Sequence, residues 1–202
     1  MAIRALILDV GGVLLQLAPA ERERRWEQRL GLAPGAMARA LVGTNLTARA
    51  TRGQVSAEAI WALLGQRLAL TADQLHQIQH RYLHEEGLDP AMVALLRQLR
   101  PRYRLALLTN AWSDARAVLS ARFGLDQLVD TIVISAEVGM AKPDPAMYRL
   151  TLDCLDVAPQ ETLFVDNKAR NTLAAAALGI PSIVFQHSAQ AIAAIQDHLE
   201  AG

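Results

Sequence analysis

One stretch near the start of the chain constrains it most: four consecutive apolar residues, Ala5-Leu6-Ile7-Leu8, run straight into Asp9-Val10-Gly11-Gly12-Val13. An apolar run of this length closed by glycines predicts a buried strand followed by a turn. A carboxylate at the C-terminal end of such a strand stands where open α/β sheets bind their ligands. Short apolar runs ending in Asp and Gly are common. Three strand ends further along, carrying polar groups of a matching kind, set this one apart.

Five runs read as buried strands: Ile3 to Leu8, Arg104 to Leu108, Thr131 to Ile134, Thr162 to Val165 and Ser182 to Phe185. Helical patterns with clear start signals separate the later ones. Asp89-Pro90 and Asp144-Pro145 each offer an N-cap followed by proline at the first helical position. Gly179-Ile180-Pro181 ends the helix that passes through Ala174 to Ala177. Strands alternating with helices predict an α/β fold, a Rossmann-like parallel sheet with helices on both faces.

The first strand is separated from the second by about 95 residues. Leu15 to about Gly87 reads as all-helical: Glu21 to Leu30 is charged and helical in composition, Ser56 can cap the helix containing Ile60, Trp61, Leu63 and Leu64, and Thr71-Ala72-Asp73-Gln74 fits a capping box. The expected organisation is a core of residues 1–14 plus 88–202 and an inserted helical cap domain, residues 15–87, above the strands' C-terminal edge, where a lid would sit.

Composition narrows the function classes. With 202 residues, 52% of them hydrophobic, the chain can bury a substantial core. Twenty basic and twenty acidic side chains cancel, so no bulk field favours nucleic acid or an anionic membrane. Three Trp, three Tyr and three Phe leave little for base stacking. No apolar run approaches the roughly 20 residues of a membrane span. The opening meets Asp9 too soon to resemble a secretory signal, and the one cysteine cannot form an internal disulfide. A cytoplasmic protein is expected, with no nucleic-acid or membrane partner; nothing in the sequence sets its oligomeric state. Cys154, spaced helically after Met147 and Leu150, reads as a small core residue.

In a parallel sheet the strand ends share one edge. Asp9, Thr109-Asn110 and Asp166-Asn167 therefore converge, joined by Lys142-Pro143 from the connection after the third strand. A nucleophilic carboxylate, a hydroxyl, an ammonium and a second carboxylate are the parts phosphoryl transfer needs. Asp9 can attack phosphorus to form an aspartyl-phosphate. Thr109 and neighbouring backbone N–H groups can hold a phosphate oxygen. Two carboxylates and a backbone carbonyl make the partial oxygen shell typical of Mg²⁺, with water and phosphate completing it. An anionic nucleophile approaching phosphate meets repulsion of about 4 kcal/mol per charge pair at 4 Å in a moderate dielectric. Mg²⁺ and Lys142 would offset it.

These residues, in this order, resemble the haloacid dehalogenase (HAD) superfamily of hydrolases with a small helical cap, over essentially the full chain. The motifs that carry the resemblance are Asp9-Val10-Gly11-Gly12-Val13-Leu14, Leu108-Thr109-Asn110, Lys142-Pro143, and Phe164-Val165-Asp166-Asn167 with Asn171 following. Thr109-Asn110-Ala111-Trp112 and Val138-Gly139-Met140-Ala141-Lys142-Pro143 look most like the phosphatase domain of soluble epoxide hydrolases. The resemblance implies a Mg²⁺-dependent phosphatase acting on a small phosphorylated metabolite, with Asp9, Thr109 and Lys142 catalytic, Asn110 and Trp112 contacting substrate, and Asp9, Gly11 and Asp166 holding the metal.

Two positions depart from the pattern. Family phosphatases usually carry an aspartate two residues after the nucleophile as general acid and base; here Gly11 stands there. Asn167 stands where a second aspartate often follows the first, which lowers the site's negative charge by one. Two alternatives remain open at this level: a 2-haloacid dehalogenase-type hydrolase, since halide leaves without a proton, and a degenerate member that binds ligand without turnover. His76, His80 and His84, four apart, are expected to be a polar helix flank rather than a metal clamp. Arg49 and Arg52 are expected to be solvated.

Overall fold

The computed structural model describes residues 2–16, 19–81 and 87–200. In chain order, β1 (Ala5–Leu8) is followed by α1 (Pro19–Arg29), α2 (Ala36–Leu41), α3 (Leu46–Thr51), α4 (Ala57–Arg67) and α5 (Ala72–Arg81). Then come α6 (Pro90–Leu99), β2 (Arg104–Thr109), the short α7 (Ala115–Ala117), a π-helical stretch at Val118–Arg122 and β3 (Thr131–Ile134). The chain ends with α8 (Ser135–Val138), α9 (Pro145–Leu155), β4 (Thr162–Asp166), α10 (Ala169–Ala176), β5 (Ser182–Val184) and α11 (Ser188–Glu200).

All five strands are parallel, in the order β3-β2-β1-β4-β5. The expected α/β architecture is present, with β1 at the centre. Alternation along the strands divides the core in two. Leu6, Leu8, Leu105, Leu107, Leu163 and Val165 face α6 and α11. Ala5, Ile7, Ala106, Leu108 and Phe164 face α9 and α10. The caps are those the sequence predicts: Asp89 accepts from the Ala91 and Met92 N–H groups and Asp144 from that of Ala146. Thr71 and Gln74 exchange the two bonds of a capping box, 2.9 and 3.2 Å.

Cys154 departs from expectation: it is exposed. α9 buries Met147, Tyr148, Thr151, Leu152 and Leu155, and at 3.6 residues per turn position 154 falls about 90° from the centre of that stripe.

Helices α1 to α5 lie between β1 and β2 and build a separate apolar cluster around Trp26, Ile60, Trp61, Leu64 and Ile78. The chain leaves and re-enters the sheet region through an antiparallel stem: Gln16 N–H donates to Gly87 O at 3.1 Å, and Asp89 N–H to Leu14 O at 2.8 Å. Farther out, Gly53 (φ +67°) lies against the backbone of Ala136 in α8, and a Cβ there would overlap the Ala136 carbonyl oxygen. Ala57 N–H donates to Ser113 Oγ at 3.2 Å. Stem, Gly53 contact and Ser113 bond together seat the inserted helices on the sheet's C-terminal edge. Arg49 and Arg52 are exposed, as are His76 and His80; His84 lies outside the described residues. Among the described residues no helix is long and apolar enough to cross a membrane.

Gly53→Ala should destabilise the fold by about 2–3 kcal/mol, combining left-handed backbone strain with displacement of Ala136. Gly43→Ala, also left-handed (φ +77°) but with open space around its Cβ, should cost only about 1 kcal/mol. Equal losses in urea denaturation would mean that the Gly53–Ala136 approach contributes nothing.

Candidate active site

Strand register sets the site's first dimension. Leu8 pairs with Leu107 and with Val165, so Asp9 is level with Asp166 and one residue short of Thr109. The Asp9 N–H donates to Val165 O at 2.9 Å. Alternation sets the second. Asp9 and Asp166 follow Ile7 and Phe164 toward the α9–α10 side, whereas Thr109 follows Leu107 toward the other.

The turn after Asp9 is tied to one carbonyl: Val10 O accepts from the N–H groups of Val13, Leu14 and Leu15. Gly12 needs its glycine, with φ at +80° and a virtual Cβ that would run into the Asn167 side chain. Gly11 does not: its φ is not left-handed, and a Cβ there meets nothing within 4 Å.

Lys142 lies between the two carboxylates. Its Nζ is 2.9 Å from Asp9 Oδ1 and 2.7 Å from Asp166 Oδ2, and stands 5.6 Å from the Phe164 ring centroid. All three ionisable groups are buried. At an effective dielectric near 20 each pair attracts by roughly 6 kcal/mol, against a desolvation penalty of several kcal/mol per ion. Fully ionised, the trio would carry a net charge of −1. Burial pushes the Asp9 carboxyl up, against the pull of Lys142 and with the help of Asp166.

Asn110 aims Lys142. Its Nδ2 donates to Lys142 O at 2.9 Å and its Oδ1 accepts from Lys142 N–H at 2.8 Å, so the amide holds the loop that delivers the ammonium. Asp166 is held from below: Asn171 Nδ2 donates to its Oδ2 at 2.9 Å, and Lys168 N–H to its Oδ1 at 2.8 Å. Tyr148, in turn, donates its hydroxyl to Asn171 O at 3.0 Å. Burial, with Asp166 and Asp9 adding to it, holds the Tyr148 phenol above its ordinary range. Ser135 bonds the Ala111 backbone at both N–H and C=O, 3.0 and 3.1 Å. No sequence signal distinguished Ser135 or Tyr148, because both act on backbone brought near only by the fold.

Above this floor is a cavity of about 420 Å³. Gly11, Thr109, Asn110 and Lys168 line it from the sheet side, and Arg22, Glu23, Met37, Trp61 and Leu64 from the inserted helices. Trp112 lines it too, meeting Trp61 edge-on at 5.8 Å between centroids. Asp114 closes the same wall and accepts a hydrogen bond from Trp61.

The donor set suits a small hard cation. Asp9 and Asp166 supply carboxylates, and Asn167 Oδ1 is buried without a partner. The Gly11 carbonyl, which accepts from Asn167 Nδ2 at 3.3 Å, has a second lone pair. Among the described residues no group of three His, Cys, Asp or Glu forms a cage. One or two carboxylates completed by water and phosphate is the usual Mg²⁺ arrangement.

The structure thus combines a doubly wound parallel sheet with a buried Asp–Lys–Asp trio at its C-terminal edge. The chain belongs to the haloacid dehalogenase-like hydrolase family, whose model matches residues 3–179. It is 26% identical to bifunctional epoxide hydrolase 2 of Sus scrofa over 95% of its own length and 38% of that protein. It therefore spans less than half of the epoxide hydrolase it matches. It is 27% identical to sesquiterpene phosphatase astK of Aspergillus oryzae, covering 88% of this chain and 87% of that one. A HAD-family enzyme of Bacteroides thetaiotaomicron, crystallised with magnesium and inorganic phosphate, superposes with TM-score 0.74 at 20% identity, over 92% of this chain and 95% of that one. L-2-haloacid dehalogenases share the fold at TM-score 0.65.

Lys142→Met should destabilise the protein by about 3–5 kcal/mol, since it leaves two buried carboxylates facing each other. Adding Asp9→Asn should recover part of that loss in urea denaturation; no recovery would show that the ammonium is not compensating Asp9.

Proposed function

We propose that the chain is a Mg²⁺-dependent phosphatase that releases phosphate from a small phosphorylated cytoplasmic metabolite through an aspartyl-phosphate on Asp9. The observation that carries this is the Asp9–Lys142–Asp166 trio at the sheet edge, next to Gly11, Thr109 and Asn110 on the wall of the cavity. Asp9 attacks phosphorus. Lys142 neutralises the nucleophile's neighbourhood and the charge on the transferred group. Thr109 and nearby backbone N–H groups hold a phosphate oxygen, and Asn110 serves by positioning Lys142. Mg²⁺, when bound by Asp9, Asp166 and the Gly11 carbonyl, supplies further charge neutralisation for the phosphate. The phosphatases among the relatives, and the magnesium and phosphate in the Bacteroides enzyme, support the same assignment.

We assign residues 1–14 and 88–202 to a catalytic core and 15–87 to a cap that controls access and specificity, with Trp112 contacting substrate under it. The stem at residues 14–16 and 87–89 and the separate apolar cluster support that division. A dehalogenase would share the fold and the aspartate. In the phosphatase reading Asp166 holds Lys142 and also offers a carboxylate to the cation, and the phosphatases among the relatives favour that reading.

Asp9→Asn should abolish phosphate release while leaving the circular dichroism spectrum unchanged, because a neutral amide cannot attack phosphorus. Asp166→Ala should raise the Mg²⁺ concentration needed for half-maximal activity at least about tenfold, in line with the weakening expected when a metal-site carboxylate is removed. Full phosphatase activity in excess chelator would sink the metal assignment, and chloride release from 2-chloropropionate without phosphatase activity would replace the function.

A further inference from the structure

The phosphatase reading leaves one chemical task without a residue. An alkyl phosphate needs a proton on its departing oxygen, and the position two residues after the nucleophile is Gly11. The space beside Gly11 is open to 4 Å around a virtual Cβ, so whatever delivers the proton must reach into the cavity from elsewhere. Among the described residues lining that cavity, the carboxyl groups are Glu23, on α1 of the inserted helices, and Asp114, after β2. Burial pushes both carboxyls up, but their hydrogen bonding differs. Asp114 accepts from its own backbone N–H and from Trp61, bonds that hold it as an acceptor and tie it to α4. A third carboxylate on α1, Glu27, is buried but committed, accepting from Gly35 N–H at 2.7 Å and Met37 N–H at 2.9 Å to cap the turn into α2.

We propose that Glu23 is the general acid and base of the reaction, reaching down from the inserted helices to do what Gly11 cannot. The assignment rests on the phosphatase reading. In the first step an Asp9 oxygen bonds to phosphorus as the bond from phosphorus to the leaving oxygen breaks. The Glu23 carboxyl gives its proton to that oxygen, so the alcohol leaves neutral and Glu23 becomes a carboxylate. In the second step the Glu23 carboxylate takes a proton from water as the water oxygen bonds to phosphorus. The bond from phosphorus to Asp9 breaks, releasing inorganic phosphate and restoring both side chains.

The environment of Glu23 suits a group that must start protonated. Burial pushes its carboxyl up and the Glu27 charge one turn along adds to this, while Arg22 pulls the other way. α2, packed against α1, presents Arg39, which donates to Pro34 O at 2.8 Å. Across the cavity stand Asp114, Lys168 and Arg170. A general acid on the inserted helices would also make proton delivery conditional on their being seated over the substrate.

The experiment is a leaving-group series, from alkyl phosphates to 4-nitrophenyl phosphate, with Mg²⁺ present. It compares the unmutated protein, Glu23→Gln, Glu23→Asp, Asp114→Asn, and Glu23→Gln combined with Gly11→Asp. Glu23→Gln should lower kcat/KM about 10²-fold for alkyl phosphates and less than about threefold for 4-nitrophenyl phosphate, whose anion leaves unaided. A required acid makes the rate for alkyl phosphates fall as pH rises through its pKa; that alkaline limb should be absent in Glu23→Gln. Gly11→Asp should restore alkyl phosphate turnover in the Glu23→Gln background, since neither backbone nor space at position 11 opposes it. Glu23→Asp, one methylene shorter, should fall between. A uniform loss across the series, no loss, or a leaving-group-dependent loss in Asp114→Asn instead would each overturn the assignment. Absence of phosphate release from every ester by the unmutated protein would instead be the failure of the phosphatase reading itself, visible before any variant is compared.

Discussion

The contact on which the rest of the site depends is the Lys142 ammonium, which touches Asp9 on one side and Asp166 on the other. Without it two buried carboxylates would share one edge of the sheet, and at that separation they could not both stay ionised. Much of the surrounding polar structure exists to keep the ammonium there. Asn110 binds both backbone groups of Lys142, Asn171 and the Lys168 N–H fix Asp166, and Tyr148 fixes Asn171. A trio of this kind contributes little net stability. Its value is that the Asp9 carboxyl is buried and fixed in direction.

The second organising element is the segment Trp112-Ser113-Asp114. It directly follows the strand end that carries Thr109 and Asn110, and all three of its residues engage α4: Trp112 against Trp61, Ser113 at the Ala57 N–H, Asp114 with Trp61. The strand end that carries Thr109 and Asn110 and the seating of the inserted helices are thus one residue-to-residue step apart.

The sheet was legible because its strands are buried on both faces and so read as unbroken apolar runs. Their order along the chain placed Asp9, Thr109, Lys142 and Asp166 at one edge. Asp89, Ser56, Thr71 and Asp144 were legible because helix capping is local chemistry. Other features depended on the fold. The role of Asn110 as a clamp needs the Lys142 loop beside it, 32 residues away in sequence. Ser135 and Tyr148 act on distant backbone, and Glu23 enters the cavity only because the insertion folds over the sheet. Cys154 was misplaced because spacing gives a helix's face but not the width of the stripe its neighbours cover.

The stem at Leu15 and Leu88 has a consequence for how the chain reaches this structure. β1 is the central strand, yet its partner β2 arrives only after about 95 intervening residues, which makes the pairing a non-local event with a large loop-closure cost. Helices α1 to α5 have mostly local contacts and their own apolar cluster, so they can form early. Once they have, the stem short-circuits the chain. The effective loop between β1 and β2 drops to about 23 residues, and the closure entropy falls by roughly 1 kcal/mol. The same helices that roof the cavity would then act as a folding clamp that brings the central strand to its neighbour. Substitutions in the Trp26–Trp61 cluster would therefore slow sheet assembly.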